Sequence, residues 1–228
     1  MLTPEELEAF LLSLRVAGAA VLVALPPALF CAYALARWRF PGKLLFDALV
    51  HLPLVLPPVV VGYLLLVLFG RQGPLGAFFA DWLGLTFAFS WRGAVLAAAI
   101  MGFPFLVRAI RLSLEALDPG IEAAARTLGA RRCDVFLTVT LPLILPGILA
   151  GALLCFAGAL GEFGATITFV ASIPGETQTL PLAIFRAVQS PGGEAAAARL
   201  VGLSIGLALL ALAGSELLAR RWKRRFVG

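Results

Sequence analysis

The feature that most constrains this chain is a series of uncharged runs, each as long as a bilayer is thick. Val16 to Ala36 carries no charged residue, and Ala48 to Gly70 carries only His51 as a titratable group. At 1.5 Å per residue, about 20 helical residues cross the ~30 Å hydrocarbon layer. Three further spans are predicted: Leu85 to Val107, interrupted by Arg92; one within Val135 to Gly161; and one from about Ala195 to Ala219, with Arg199 and Glu216 near its ends. A soluble core of 24.0 kDa buries too little to hide so many runs. With 61% hydrophobic and 14% charged residues and a mean hydropathy of +0.99, the expected fold is an all-α, multi-pass membrane protein of five spans.

Other classes fall away on residue chemistry. The net charge of +5 is not gathered into a stripe with interleaved aromatics, so no nucleic-acid partner is expected. Cys31, Cys133 and Cys155 are odd in number, two of them in apolar runs, and imply neither a disulfide framework nor a metal site. His51, the single histidine, has a structural or helix-end role. The first apolar run follows Glu5, Glu6 and Glu8 without a basic leader, so it reads as a retained span rather than a signal peptide. No cluster of His, Cys and paired carboxylates offers a catalytic site. "FPGKLL" has a Gly-Lys pair without the first glycine or the hydroxyl of a phosphate-cradling loop, so any ATP chemistry belongs to another chain.

Orientation follows from lysine and arginine. With a cytoplasmic C-terminal "RRWKRR" and five spans, thirteen of the eighteen basic residues lie inside: Arg37, Arg39, Lys43, Arg108, Arg111, Arg126, Arg131, Arg132, Arg220, Arg221, Lys223, Arg224 and Arg225. The acidic N-terminus and "RQGPLGAFFADW" then lie outside. Phe163 to Gly175 is uncharged but only about half a span long. It is either a re-entrant segment buried in protein or lining a watery path, or an extracellular loop, and the sequence leaves both open.

"EAAARTLGA", residues 122–130, is a polar island between spans. Asp118 and Pro119 suit a cap and first turn, and Gly129 suits a left-handed stop, which predicts a helix of about three turns. Ile121, Ala124 or Ala125, and Leu128 share one face, with Glu122, Arg126 and Thr127 elsewhere. That small apolar face either meets a protein partner or lies on the membrane surface.

The run "AAARTLGARRCDVFLTVTLPLILPG", residues 123–147, resembles the cytoplasmic EAA loop of permease subunits of ATP-binding-cassette importers. "HLPLVLPPVVVGYLLL", "FAFSWRGAVLAAAIMGFPFLVRAIRLSLE" and "GALGEFGATITFVASIPGETQTLPLAIF" are similar to the molybdate and sulfate group of these permeases, over nearly the whole chain. Its brevity and "GEFGATITF" favour molybdate over tungstate, sulfate or thiosulfate. The resemblance implies residues 1–228 as one type I importer transmembrane domain of five or six helices, with 108–142 as its cytoplasmic coupling loop. It implies a bacterial inner-membrane location and a homodimer, served by a periplasmic molybdate-binding protein and two ATPase subunits that hold the ATP and magnesium. No cofactor is expected in this chain. A passive anion channel is the rival from another class.

Carried over, the coupling residues are Glu122, Ala123, Ala124, Ala125, Arg126, Leu128, Gly129 and Ala130, with Leu141 and Pro142 closing the motif. Aligned on Gly129, the motif's glutamate falls on Ala123, and Glu122 stands one residue earlier. A helix turns roughly 100° per residue, so a salt bridge made by that glutamate does not transfer to Glu122. For the anion path the candidates are Arg92, Glu162, Gly164, Thr166 and Thr168. Arg92 lies about 22 Å of helix from Arg108, near the outer boundary, where it either snorkels, pairs with Glu162, or offers positive potential. Glu162 is expected to brace the "GEFGA" turn or a gate by pairing with a basic group. The two threonines offer hydroxyls to the path or to their own helix, and the glycine permits close approach.

Overall fold

The computed structural model describes residues 3–226; the side chains of Leu212 and of residues 215–226 lie outside the described set, and with them the basic residues at 220–225. Helix α1 (Pro4–Arg37) opens with a capping box: the Thr3 N–H donates to Glu6 Oε2 at 2.9 Å, and the Glu6 N–H donates to Thr3 Oγ1 at 3.3 Å. Helices α2 (Lys43–Val55) and α3 (Pro58–Phe69) precede the short α4 (Pro74–Leu83), and α5 (Trp91–Ala116) crosses back. After α6 (Pro119–Thr127), α7 (Arg132–Val135), a π-helical turn (Phe136–Thr140) and α8 (Leu141–Leu160) form one continuous rod. Then follow α9 (Gly164–Val170), α10 (Leu180–Gln189) and α11 (Glu194–Phe226).

The core is built from small residues because helices in lipid gain by close backbone approach rather than by escaping water. Ala17, Ala20, Ala24, Ala28 and Ala32 recur at helical spacing on α1 and are buried against α5. On the other flank of α5, Gly151 lies over Leu106 and Ala109, Gly147 over Ser113, and Cys155 over Gly102. A Cβ at Gly147 would stand 2.6 Å from Ser113 Cβ and 3.0 Å from the Ala109 carbonyl oxygen, so no larger residue fits without moving the helices apart. Larger buried side chains such as Leu106, Ile110 and Phe169 fill the gaps between the helices, while many others, among them Leu22, Phe30, Tyr63, Leu154 and Leu209, point outward, which suits a lipid-facing surface.

Four described helices are long and apolar enough to cross a membrane: α1, α5, the α7–α8 rod and Glu194–Ala211 of α11. The fifth expected span corrects the sequence reading, because residues 48–70 do not form one straight helix. Instead α2 and α3 meet at a bend of 112°. Pro57 and Pro58 have no N–H to continue the ladder, and a following proline drives Leu56 to an extended conformation, here φ −72° and ψ 141°. The pair still joins both ends of α5. Asp47 on α2 meets Arg111, and the Phe69 ring on α3 packs on Phe87 just before α5.

Segment 163–175 resolves the other open reading. Within it α9 is packed against α3 and α5, with Ala165, Phe169 and Val170 fully buried, so residues 164–170 lie inside the protein rather than on its surface. Seven residues in α9 and ten in α10 are too few to cross alone. The end of the bundle that carries the start of α1 is closed by polar contacts. Arg199 on α11 grips Glu6 through Nη2 at 2.7 Å and Nε at 3.1 Å, and Ser13 Oγ accepts the Leu180 N–H at 2.6 Å where α10 begins.

Candidate functional site

The segment 118–130 forms as its residues dictate. Asp118 caps α6 by accepting the Gly120 N–H at 2.8 Å, and Pro119 occupies the first helical position. At the other end the Ala130 N–H donates to the Ala125 carbonyl at 3.3 Å and the Gly129 N–H to the Arg126 carbonyl at 3.0 Å. This paired arrangement needs a left-handed residue, and Gly129 supplies φ +87°. The apolar face points away from the protein: Leu128 is 88% exposed and Ile121 42%, with Ala123 and Ala124 also exposed.

Glu122 faces the opposite way. It is buried, accepts the Thr140 hydroxyl at 2.8 Å, and lies 3.5 Å from Arg37 Nη2 at the end of α1. Glu122 therefore does form an ion pair, and its carboxylate is used inside the chain, fastening α6 to α1 and to the fourth span. Thr140 ends the π-helical turn, which directly precedes Pro142. A proline ring collides with the carbonyl four residues back in an α-helix, and the wider π-turn relieves that crowding at Thr138. Arg126 donates to the Glu122 carbonyl at 3.2 Å, and Ala125 is half-buried beside it.

The pathway candidates do not converge on one another. Arg92 stands exposed at the start of α5 and forms no ion pair among the described residues; its neighbour Trp91 carries the Arg15 guanidinium 4.0 Å from its ring centre. Glu162 has no basic partner among the described residues, contrary to the expected pairing. Its carboxylate accepts the Ala165 N–H at 2.8 Å, because the free amides and positive end of α9 satisfy a negative group without a counter-ion. It braces the "GEFGA" turn through backbone. Thr168 donates to the Gly164 carbonyl of its own helix at 2.8 Å, Thr166 is buried, and Gly164 sits against Pro58 where no Cβ fits.

Several residues that organise these sites escape sequence reading. Arg37 counts there as a topological charge and Thr140 as part of an apolar run, yet they hold Glu122 across 85 and 18 positions, separations no periodicity reveals. Thr177, fully buried, pins the loop after α9 by accepting the Ile173 N–H at 2.9 Å. His51 bonds to Asp47 one turn earlier on α2, as its structural reading expects. The described residues contain no group of three or more His, Cys, Asp or Glu able to hold a metal ion.

Residues 24–224 match the family described as binding-protein-dependent transport system inner membrane components. The chain is 61% identical over 225 residues to the molybdenum transport system permease protein of Escherichia coli K12, covering 99% of this chain and 98% of that protein. The corresponding protein of Haemophilus influenzae is 56% identical over 220 residues, with 96% of each covered. Among solved structures, a bacterial alginate ABC transporter in complex with its alginate-pentasaccharide-bound periplasmic protein matches with a TM-score of 0.74 at 18% identity, over 96% of this chain and 80% of that one.

Proposed function

The chain belongs to the binding-protein-dependent transport system inner membrane components, and from that premise we infer that it is the permease subunit of an ATP-driven molybdate importer. It is a transport subunit and performs no covalent chemistry. ATP and magnesium are held by cytoplasmic ATPase subunits, and a periplasmic binding protein delivers the anion. Two copies of the chain place the translocation path on a twofold axis, since five crossings are few to enclose a hydrated route. The N-terminus and the α9–α10 region face the periplasm; α6 and the C-terminus face the cytosol.

The observation that supports coupling is the division of labour on α6. Glu122 anchors the helix to the body, while Ile121 and Leu128 present apolar surface to a partner. Fully burying such a side chain contributes about 1.5–3 kcal/mol, so two suffice to register the helix in a cleft without welding it there. ATP-driven closure of two ATPase subunits draws two such helices together, and the packed rods convert that movement into outward opening. Hydrolysis resets them. For the anion, Arg92 supplies positive potential at the outer mouth, and α9 with Glu162, Gly164, Thr166 and Thr168 forms the fixed inner wall beside which the path opens.

The test is reconstitution with the ATPase and the binding protein in vesicles, followed by uptake of labelled molybdate with sulfate, thiosulfate and tungstate as competitors. Uptake that requires ATP and all three components, and that falls more than tenfold in Leu128→Asp with normal membrane insertion, is the expected result. Anion conductance by the chain alone, without ATP, would replace this reading with a passive channel. Preferential uptake of sulfate, thiosulfate or tungstate would change the cargo and leave the machine.

A further inference from the structure

Between the cytoplasmic end of α1, the inner face of α6 and the start of the fourth span lies a cavity of about 330 Å³. Three separate elements send an arginine to its wall: Arg37 from α1, Arg126 from α6 and Arg132 from α7. The one acidic residue lining it is Glu122, whose carboxylate already receives the Thr140 hydroxyl. Three guanidinium groups against one carboxylate leave an excess of two positive charges.

Arg37 is the telling member. Its side chain is only 17% exposed, and its Nε and Nη2 are buried with no hydrogen-bond acceptor among the described residues, the contact to Glu122 being a 3.5 Å ion pair rather than a hydrogen bond. Beyond its ion pair with Glu122, Arg37 is withdrawn from water with two donors unmet, and each such donor costs about 1–3 kcal/mol. The wall includes Phe136 and Thr140 of the π-helical turn, a distortion found frequently at functional positions. Convergent planar guanidiniums match a tetrahedral oxyanion, to which each can offer two parallel N–H donors.

We propose that this cavity binds a tetrahedral, phosphate-like oxyanion from the cytosolic side, held by Arg37, Arg126 and Arg132. The occupant ties α1, α6 and α7 together. The chemistry is shared by a free oxyanion and by the phosphate of an anionic lipid. The proposal does not depend on the cargo, because its test needs neither ATPase nor transport.

The full chain in zwitterionic phosphatidylcholine nanodiscs is titrated calorimetrically with sodium phosphate and then with sodium molybdate, and chain purified from membranes is weighed by native mass spectrometry for retained phosphatidylglycerol. Arg132 is exposed and forms no ion pair among the described residues, so Arg132→Gln should fold, as a circular dichroism melt checks. Saturable binding that weakens at least tenfold in Arg132→Gln and is partly kept in Arg132→Lys supports the site and identifies a soluble anion. Absence of soluble binding, with phosphatidylglycerol retained by the wild type and lost from Arg132→Gln, supports it with a lipid occupant. Neither signal, or either one unchanged in Arg132→Gln and in Arg37→Gln, overturns it.

Discussion

The interface of α5 with α1 and α8 and the attachment of α6 are built on opposite plans. Around α5 the contacts are apolar, close and spread over the length of the helices, with Ala17 to Ala32 on one side and Gly147, Gly151 and Cys155 on the other. Helix α6, only nine residues long, is fastened by one carboxylate to a hydroxyl and a guanidinium. Dispersed van der Waals packing has no single point of release, so it moves as a body. A polar fastening concentrates its strength in a few groups and can be re-formed in another geometry. The difference separates a body that holds its shape from an attachment that can change its geometry.

That contrast can be broken at either end. The largest effect is expected for Gly147→Leu, whose side chain has no room beside Ser113 and the Ala109 backbone. Overpacking of this kind costs about 1–3 kcal/mol or more, and the yield of monodisperse protein in detergent should collapse, as size-exclusion chromatography reads. Next comes Glu122→Ala, which strips the buried Arg37 of its partner and should cost about 1–3 kcal/mol locally. Hydrogen exchange in peptides covering residues 119–130 should rise strongly while α5 stays protected; equal loss of protection in both regions would erase the distinction drawn here.

Gly129→Val forces a branched residue into a left-handed conformation at about 1–2 kcal/mol, in open space where nothing collides. The chain should insert normally, while binding-protein-stimulated ATPase activity separates from molybdate uptake. A variant with both activities at wild-type levels would mean that the end of α6 tolerates re-orientation. The smallest effect belongs to Thr140→Val, which removes a single hydroxyl donor from Glu122 and should cost about 0.5–1.5 kcal/mol, read as a modest rise in exchange confined to residues 119–130.

Features set by local chemistry were legible in the sequence. Asp118, Pro119 and Gly129 announce the limits of α6, and the exposed face of Ile121 and Leu128 is the one their spacing predicts. The spans of α1, α5 and the fourth rod follow from long, nearly uncharged runs, although α5 begins at Trp91 rather than at Leu85. The bend at Pro57 and Pro58 was less readable, because prolines are carried without a break elsewhere: Pro26 and Pro27 lie inside α1, and Pro104 lies inside α5. What distinguishes residues 56–58 is the extended Leu56 and Pro57 between two helix ends, a tertiary outcome. The partners of Glu122 and Glu162 were hidden for a related reason. A carboxylate advertises a need for donors but not whether an arginine, a hydroxyl or a backbone amide will meet it.

The elbow between α2 and α3 also decides how thrust can travel. A strut folded through 112° yields at its corner when compressed and transmits little along either arm. On the coupling role proposed above, displacement applied at α6 travels through the two long helices that flank it in sequence, α5 ending at residue 116 and the rod beginning at residue 132. The jointed pair is tethered to α5 at Asp47 and again through Phe69 and Phe87, so its two arms follow that helix rather than bear load along their own length.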